Sequence, residues 1–233
     1  YLRHSTFNQL IELNKLITIK YLEFGNWFNT PINLLNTNIT HLNFGKEFNE
    51  KIIFSENLIH LKFGDNYNQQ LNFNHTHKSN HFTRIKQLFY KNENENKSDE
   101  SNQINKLKNL ESLIFGKHFN QPIELNKLIK LKYLKLSDEY TQPILINELK
   151  NLEYFNTGLY FDQPINFDGL SKLIDITIGY YYSKQINFKN NNTLIYLTIS
   201  DKFNQQIDLS NQTMLEYLEF GDDFNQQLNL TNN

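Results

Sequence analysis

The sequence predicts a mainly β solenoid. It reads as a single domain over residues 1–233, built of about eleven coils of roughly 21 residues each, with one main parallel strand per coil and little helix. Three observations predict this. A box of the form Phe-Asn-Gln-Pro/Gln-Ile/Leu recurs, as at Phe7-Asn8-Gln9-Leu10-Ile11, Phe28-Asn29-Thr30-Pro31-Ile32 and Phe119-Asn120-Gln121-Pro122-Ile123. The box aromatics are Phe7, Phe28, Phe48, Tyr67, Phe119, Tyr140, Phe161, Tyr182, Phe203 and Phe224, and from Phe119 onward each follows the last by 21 positions. Between boxes lies a second pattern, Leu-x-x-Leu-x-Phe-Gly, clearest from Leu215 to Gly221. A fixed short period means one small unit stacked many times around a continuous core.

Within each coil the strand comes first. Its fourth and sixth residues are apolar and its fifth is usually polar, the period-two alternation of a half-buried strand. Leu218 and Phe220 point inward and Glu219 outward. The glycine that follows suits a sharp turn with positive φ. The box comes next, with its aromatic inward and stacked on that of the next coil. The box Asn (Asn8, Asn29, Asn49, Asn68, Asn120, Asn204 and Asn225) is expected to be a buried amide that bonds neighbouring backbones, a structural ladder. Thr141, Asp162 and Ser183 keep a hydrogen-bonding side chain at that position. Pro31, Pro122, Pro143 and Pro164 share one box position, where a missing N–H is harmless. Ile-x-Leu/Phe, as in Ile123-Glu124-Leu125, reads as a second short extended segment on the opposite wall. The linking stretch Asn126 to Lys130 has room for one helical or 3₁₀ turn. A lone coil buries too little to offset the ordering of its backbone, so stability must come from the stack.

One stretch breaks the rhythm. Between Tyr67 and Phe119 the spacing leaves room for a degenerate coil, with a strand-like Ile85 to Tyr90 and insertions at about 74–80 and 92–101. The second insertion, Asn92 to Ser101, is polar and of low complexity and is expected to be an exposed loop.

The bulk properties narrow the function. The formal net charge of −2 marks no nucleic-acid partner and no acidic membrane surface. No apolar run approaches the ~20 residues of a membrane span. There is no cysteine, hence no disulfide and no thiolate metal site, the default for a reducing compartment and weak support for one. Alanine and valine are absent while Asn, Ile, Lys, Leu, Phe and Tyr abound, as an AT-rich genome would produce. For the same reason the Asn-x-Ser/Thr triplets carry little weight as glycosylation sites. The chain begins at Tyr1 in mid-repeat and reads as a segment of a longer protein.

Phe-Gly followed by Phe-Asn-Gln-Pro-Ile at this period resembles the FNIP-repeat family, over essentially the whole chain. That family is similar to leucine-rich repeats and is known chiefly from social amoebae and the giant viruses that infect amoebae. Many of its members carry an F-box ahead of the array. The resemblance implies a leucine-rich-repeat-like fold and the recognition part of an F-box ubiquitin-ligase adaptor, or a related scaffold, although these residues contain no F-box. Leu10 and Lys51 depart from the box at its fourth position.

Catalytic motifs are missing: there is no phosphate loop, no nucleophile elbow and no His-Glu-x-x-His. His75, His77 and His81 in the first insertion have the chemistry to hold zinc or copper if the loop curled, but a polar loop is the preferred reading. No cofactor and no catalytic residue is expected. His41 and His60 share an outward strand position in adjacent coils.

The outward positions carry more information. The third strand residue reads Tyr21, His41, His60, Gln87, Ser112, Tyr133, Tyr154, Asp175, Tyr196 and Tyr217. The fifth reads Glu23, Asn43, Lys62, Phe89, Ile114, Lys135, Asn156, Thr177, Thr198 and Glu219. In a solenoid these form two columns on one face. Tyrosines flanked by charges suit a protein partner, since they bury area at low entropic cost, although β propensity and cross-coil packing alone also favour Tyr there. Tyr133, Tyr154, Tyr196 and Tyr217 are the preferred patch, and the apolar pair Phe89 and Ile114 the second candidate. The expectation is therefore a non-catalytic protein-interaction scaffold, inside the cell of an amoeba or of a virus's host. The alternative is a structural component of a larger assembly such as a giant-virus particle, extended end to end through exposed stack ends.

Overall fold

The computed structural model describes residues 6–71, 106–188 and 191–230. Eleven short strands follow in chain order: β1 (Tyr21–Glu23), β2 (Ile32–Asn33), β3 (His41–Asn43), β4 (Ile52–Ile53), β5 (His60–Lys62), β6 (Ser112–Ile114), β7 (Tyr133–Lys135), β8 (Tyr154–Asn156), β9 (Asp175–Ile178), β10 (Tyr196–Ile199) and β11 (Tyr217–Phe220). Nine of them form one parallel sheet in the order β1-β3-β5-β6-β7-β8-β9-β10-β11. Like positions pair with like throughout: Tyr133 opposes Tyr154, Leu134 opposes Phe155, and Lys135 opposes Asn156. The middle residue of each strand is buried or nearly so, as in the exposed–buried–half-buried sequence of Tyr133, Leu134 and Lys135. Each coil therefore satisfies its strand backbone only through the coils above and below it.

The core is a set of files running along the stack. Every box aromatic stacks on the next, from Phe7 on Phe28 to Phe203 on Phe224. Phe161, Tyr182 and Phe203 are consecutive members, with ring centroids 6.3 and 6.4 Å apart. In the N-terminal part a second file, Phe24, Phe44, Phe63 and Phe115, lies beside the first. There each strand Phe also stacks on its own box ring, as Phe44 does on Phe48 at 3.7 Å. From Leu136 on, smaller side chains fill that second file until Phe220.

Three expectations need correction. The turn glycines are not chosen mainly for positive φ: among them only Gly158 has it, at φ +74°. They are needed because the coils approach too closely for a Cβ, which at Gly64 would sit 1.8 Å from the Gly45 carbonyl oxygen. The opposite wall forms a ladder only where β2 pairs with β4 and at an Asp208–Asn229 bridge, among the described residues. Local side-chain turns recur along this wall, with and without the ladder: Asn33 Oδ1 accepts from the Leu35 N–H at 2.9 Å, Asn166 Oδ1 from the Asp168 N–H at 2.8 Å and Asp208 Oδ1 from the Ser210 N–H at 3.0 Å. Finally, β5 pairs directly with β6, so His60 and Ser112 are neighbours in the outward column of the sheet. The expected irregular coil, with its strand-like Ile85 to Tyr90 and its insertions, lies outside the described residues, as do His75, His77 and His81.

The linking stretches make tight turns. Leu128 donates its N–H to the Leu125 carbonyl and Leu131 to that of Leu128, both at 2.9 Å. A 3₁₀ turn, Leu13–Lys15, occupies the equivalent place near the start.

Candidate functional site

The sheet's outward face carries the third-position column in register: Tyr21, His41, His60, Ser112, Tyr133, Tyr154, Asp175, Tyr196, Tyr217. It holds two tyrosine pairs. Tyr133 and Tyr154 have ring centroids 5.8 Å apart, and Tyr196 and Tyr217 6.4 Å apart. Asp175 separates the pairs, and burial raises its carboxyl pKa. The four tyrosines are 37–47% exposed, so each ring leans on the sheet and keeps a wet side. Tyr217 donates its hydroxyl to Glu219 Oε2 at 2.8 Å, a bond that raises the phenol pKa.

At the other end of the column Tyr21 stacks on His41 at 4.4 Å, and His41 on His60 at 5.8 Å. Burial, then the neighbouring His41 and Lys62, hold His60 below the usual imidazole range. His60 Nε2 lies 3.0 Å from Asn43 Oδ1. Only one member of the second candidate pair falls within the described residues. Ile114 is half-buried between Lys62 and Lys135, and Phe89 lies outside the described residues.

The box asparagines form a ladder, but at the surface rather than in the core. Asn8 Oδ1 accepts the Asn29 N–H at 2.9 Å, Asn29 that of Asn49 at 2.8 Å, and Asn49 that of Asn68 at 2.9 Å. Asn68 accepts from Asn120 at 2.9 Å, Asn120 from Thr141 at 3.0 Å, and Asn204 from Asn225 at 2.9 Å. Asn8, Asn29, Asn68, Asn204 and Asn225 are exposed and Asn49 and Asn120 half-buried, because the residue after an inward ring must point out of the coil.

Sequence reasoning missed two partners of this system. The box Gln braces the same oxygen: the side-chain amides of Gln69, Gln121 and Gln226 donate to Asn49, Asn68 and Asn204. A second amide ladder runs ahead of the strands. In it Asn38 donates to the Ile17 carbonyl, Asn57 to Thr37, Asn109 to Glu56 and Asn151 to Ile129, at 2.7–2.8 Å. The signal was an Asn directly before the first apolar strand residue.

Also missed was the turn edge, where the two residues between glycine and box form a ladder of their own. The second residue's carbonyl accepts the N–H of the third turn residue in the next coil, as Asp138 does from Tyr160, Leu159 from Tyr181 and Tyr180 from Lys202. Most of this edge is polar and paired across coils. Asn66 donates to Glu47 at 2.7 Å, His118 Nδ1 lies 2.8 Å from Glu139, and Lys202 Nζ lies 2.8 Å from Asp223.

No group of three His, Cys, Asp or Glu close enough to hold a metal ion occurs among the described residues. None of their helices is long and apolar enough to cross a membrane.

Neither a protein-family profile nor any curated protein matches the chain. Solved structures do. CroV588, a circular leucine-rich-repeat protein of the giant virus CroV, is 30% identical over 95% of this chain, with a TM-score of 0.59. This chain is a leucine-rich-repeat-like solenoid. The functional domain of InlJ from Listeria monocytogenes, which includes a cysteine ladder, is 13% identical over 96% of the chain at a TM-score of 0.50. The solenoid spans 33% of the length of the first and 53% of the second. The cysteine-free chain has asparagine at its own inter-coil ladder positions.

Proposed function

We propose that the solenoid is a non-catalytic scaffold that binds a protein partner through the outward face of its sheet. The observation that carries this reading is the in-register column of two contacting tyrosine pairs about Asp175, half-exposed on a rigid platform. Tyrosine on a fixed backbone loses little entropy when covered and offers both apolar area and a hydroxyl. The resemblance of the boxes to FNIP repeats supports a finer version, in which the face selects substrates for an F-box ubiquitin-ligase adaptor inside the cell.

A second reading is a structural one. The similarity to a circular protein of a giant virus over most of this chain favours an arc within a larger assembly, such as a virus particle. Both readings are testable with one set of proteins. Tyr154, Tyr196 and Tyr217 replaced together by Ser should leave the circular dichroism spectrum unchanged and reduce capture of a partner from amoebal lysate by tenfold or more. Undiminished capture counts against the face. Discovery of the protein in purified particles, with no ligase subunit among its partners, favours the assembly.

A further inference from the structure

The turn edge changes character at two adjacent coils. The two residues between glycine and box are Asp138 and Glu139 in one coil and Asp201 and Lys202 three coils later. Between them the same positions hold Leu159 and Tyr160, then Tyr180 and Tyr181. All four are 37–47% exposed. Tyr160 and Tyr181 stack with centroids 4.9 Å apart and planes 11° from parallel. Tyr180 meets Tyr181 edge-on at 4.7 Å. Nothing in the coil requires this: the box rings and strand files already supply the core, and the same positions elsewhere along the edge are polar or charged apart from a single exposed Trp27.

The surroundings are acidic. Asp138 and Glu139 lie on one side, Glu139 paired with His118, and Asp201, Asp222 and Asp223 on the other, Asp223 paired with Lys202. Lys202 marks what the rings accept, for its Nζ lies 5.9 Å from the centroid of Tyr180 while it pairs with Asp223. Tyr181 stacks on one face of Tyr160, and the coil before Tyr160 carries Asp138 and Glu139 at the same two turn positions. A flat cation laid on the other face of Tyr160 would have carboxylates beside it. The guanidinium group fits best, because it stacks on aromatic planes and bonds carboxylates with a planar fork of donors.

We propose that this aromatic patch docks an arginine-bearing segment of a partner protein, at a site separate from the tyrosine column of the sheet face. The two sites lie on different walls of the coil, so one solenoid can hold two segments at once.

The test is fluorescence polarisation of a labelled heptapeptide of alternating glycine and arginine, with lysine and glutamine versions as controls. The arginine peptide should bind most tightly, the lysine peptide several-fold more weakly, and the glutamine peptide not measurably. Tyr160→Ser with Tyr181→Ser should weaken arginine binding at least tenfold, Tyr160→Phe with Tyr181→Phe should retain it, and the triple Ser variant of the sheet face should leave it intact. If the double Ser variant does not fold, tyrosine resonances of the unaltered protein decide. Shifts at Tyr160 and Tyr181 on peptide addition, without shifts at Tyr154 and Tyr217, support the site. No binding, equal binding by the double Ser variant, or shifts confined to the sheet face would overturn it. Undiminished partner capture by the triple Ser variant of the sheet face, with intact arginine binding, would sink the proposed function and leave this site standing.

Discussion

At the scale of single residues, the period is enforced by what the coil spacing excludes. A Cβ at Gly64 would lie 1.8 Å from a carbonyl oxygen of the preceding coil. Gly64→Ala must push two coils apart and should cost about 1–3 kcal/mol in urea unfolding, as overpacking does. The sequence showed that a glycine was wanted there but suggested the wrong cause, because close approach of backbones leaves no mark in one coil read alone. The buried tyrosines give the opposite sign. Tyr182 is fully buried, its hydroxyl makes no hydrogen bond of normal geometry, and burial pushes its pKa up to about 12, only weakly opposed by the nearby backbone of Ile165. Tyr182→Phe removes an unsatisfied group and keeps the ring stack, so stability should hold or rise by up to about 1 kcal/mol. The histidine stack predicts a pH effect. His60 is held below the ordinary imidazole range, so the unfolded chain takes up its proton first as pH falls. Stability should be full above the ordinary histidine range and decline as pH drops through it towards the lower folded value. His60→Gln should flatten that part of a melting-temperature profile.

At the scale of the element, each strand of three or four residues is too short to stand alone and is held by its two neighbours. The strand and the inward ring were legible in the sequence because alternation and period act within one coil. The ladders were only half legible. Asn at the box announced a recurring hydrogen bond, but its place on the surface follows from the ring before it, and the bracing Gln went unread. These bonds are partly wet, so Asn49→Ala should cost only about 0.5–1.5 kcal/mol. Protection of the Asn68 amide from hydrogen exchange should fall more than that of the Leu61 amide in β5. The tyrosine column was legible as a column, yet its division into two pairs around Asp175 needed the register. The aromatic patch on the turn edge was overlooked because it is a local departure from the repeat, and periodicity draws attention to what recurs.

At the scale of the whole molecule, the stack is one-dimensional: each coil touches mainly the coils before and after it. The direct pairing of β5 with β6 shows how far this overrides chain order, for 52 positions separate Lys62 from its partner Ile114 (114 − 62 = 52). Continuity of the ring file across the same junction, Tyr67 on Phe119 at 6.1 Å, agrees with it. The absence of native cysteine allows a clean test of this arrangement. Lys62→Cys with Ile114→Cys places two thiols on neighbouring strands, within the span of about 4.4–6.8 Å between Cα atoms that a disulfide bridges. Lys62→Cys with Lys135→Cys places them two strands apart. Mild oxidation followed by mass spectrometry should find the first pair crosslinked within a single chain and the second pair reduced. A reduced first pair, or equal crosslinking of both, would contradict the register on which the stack and both surfaces depend.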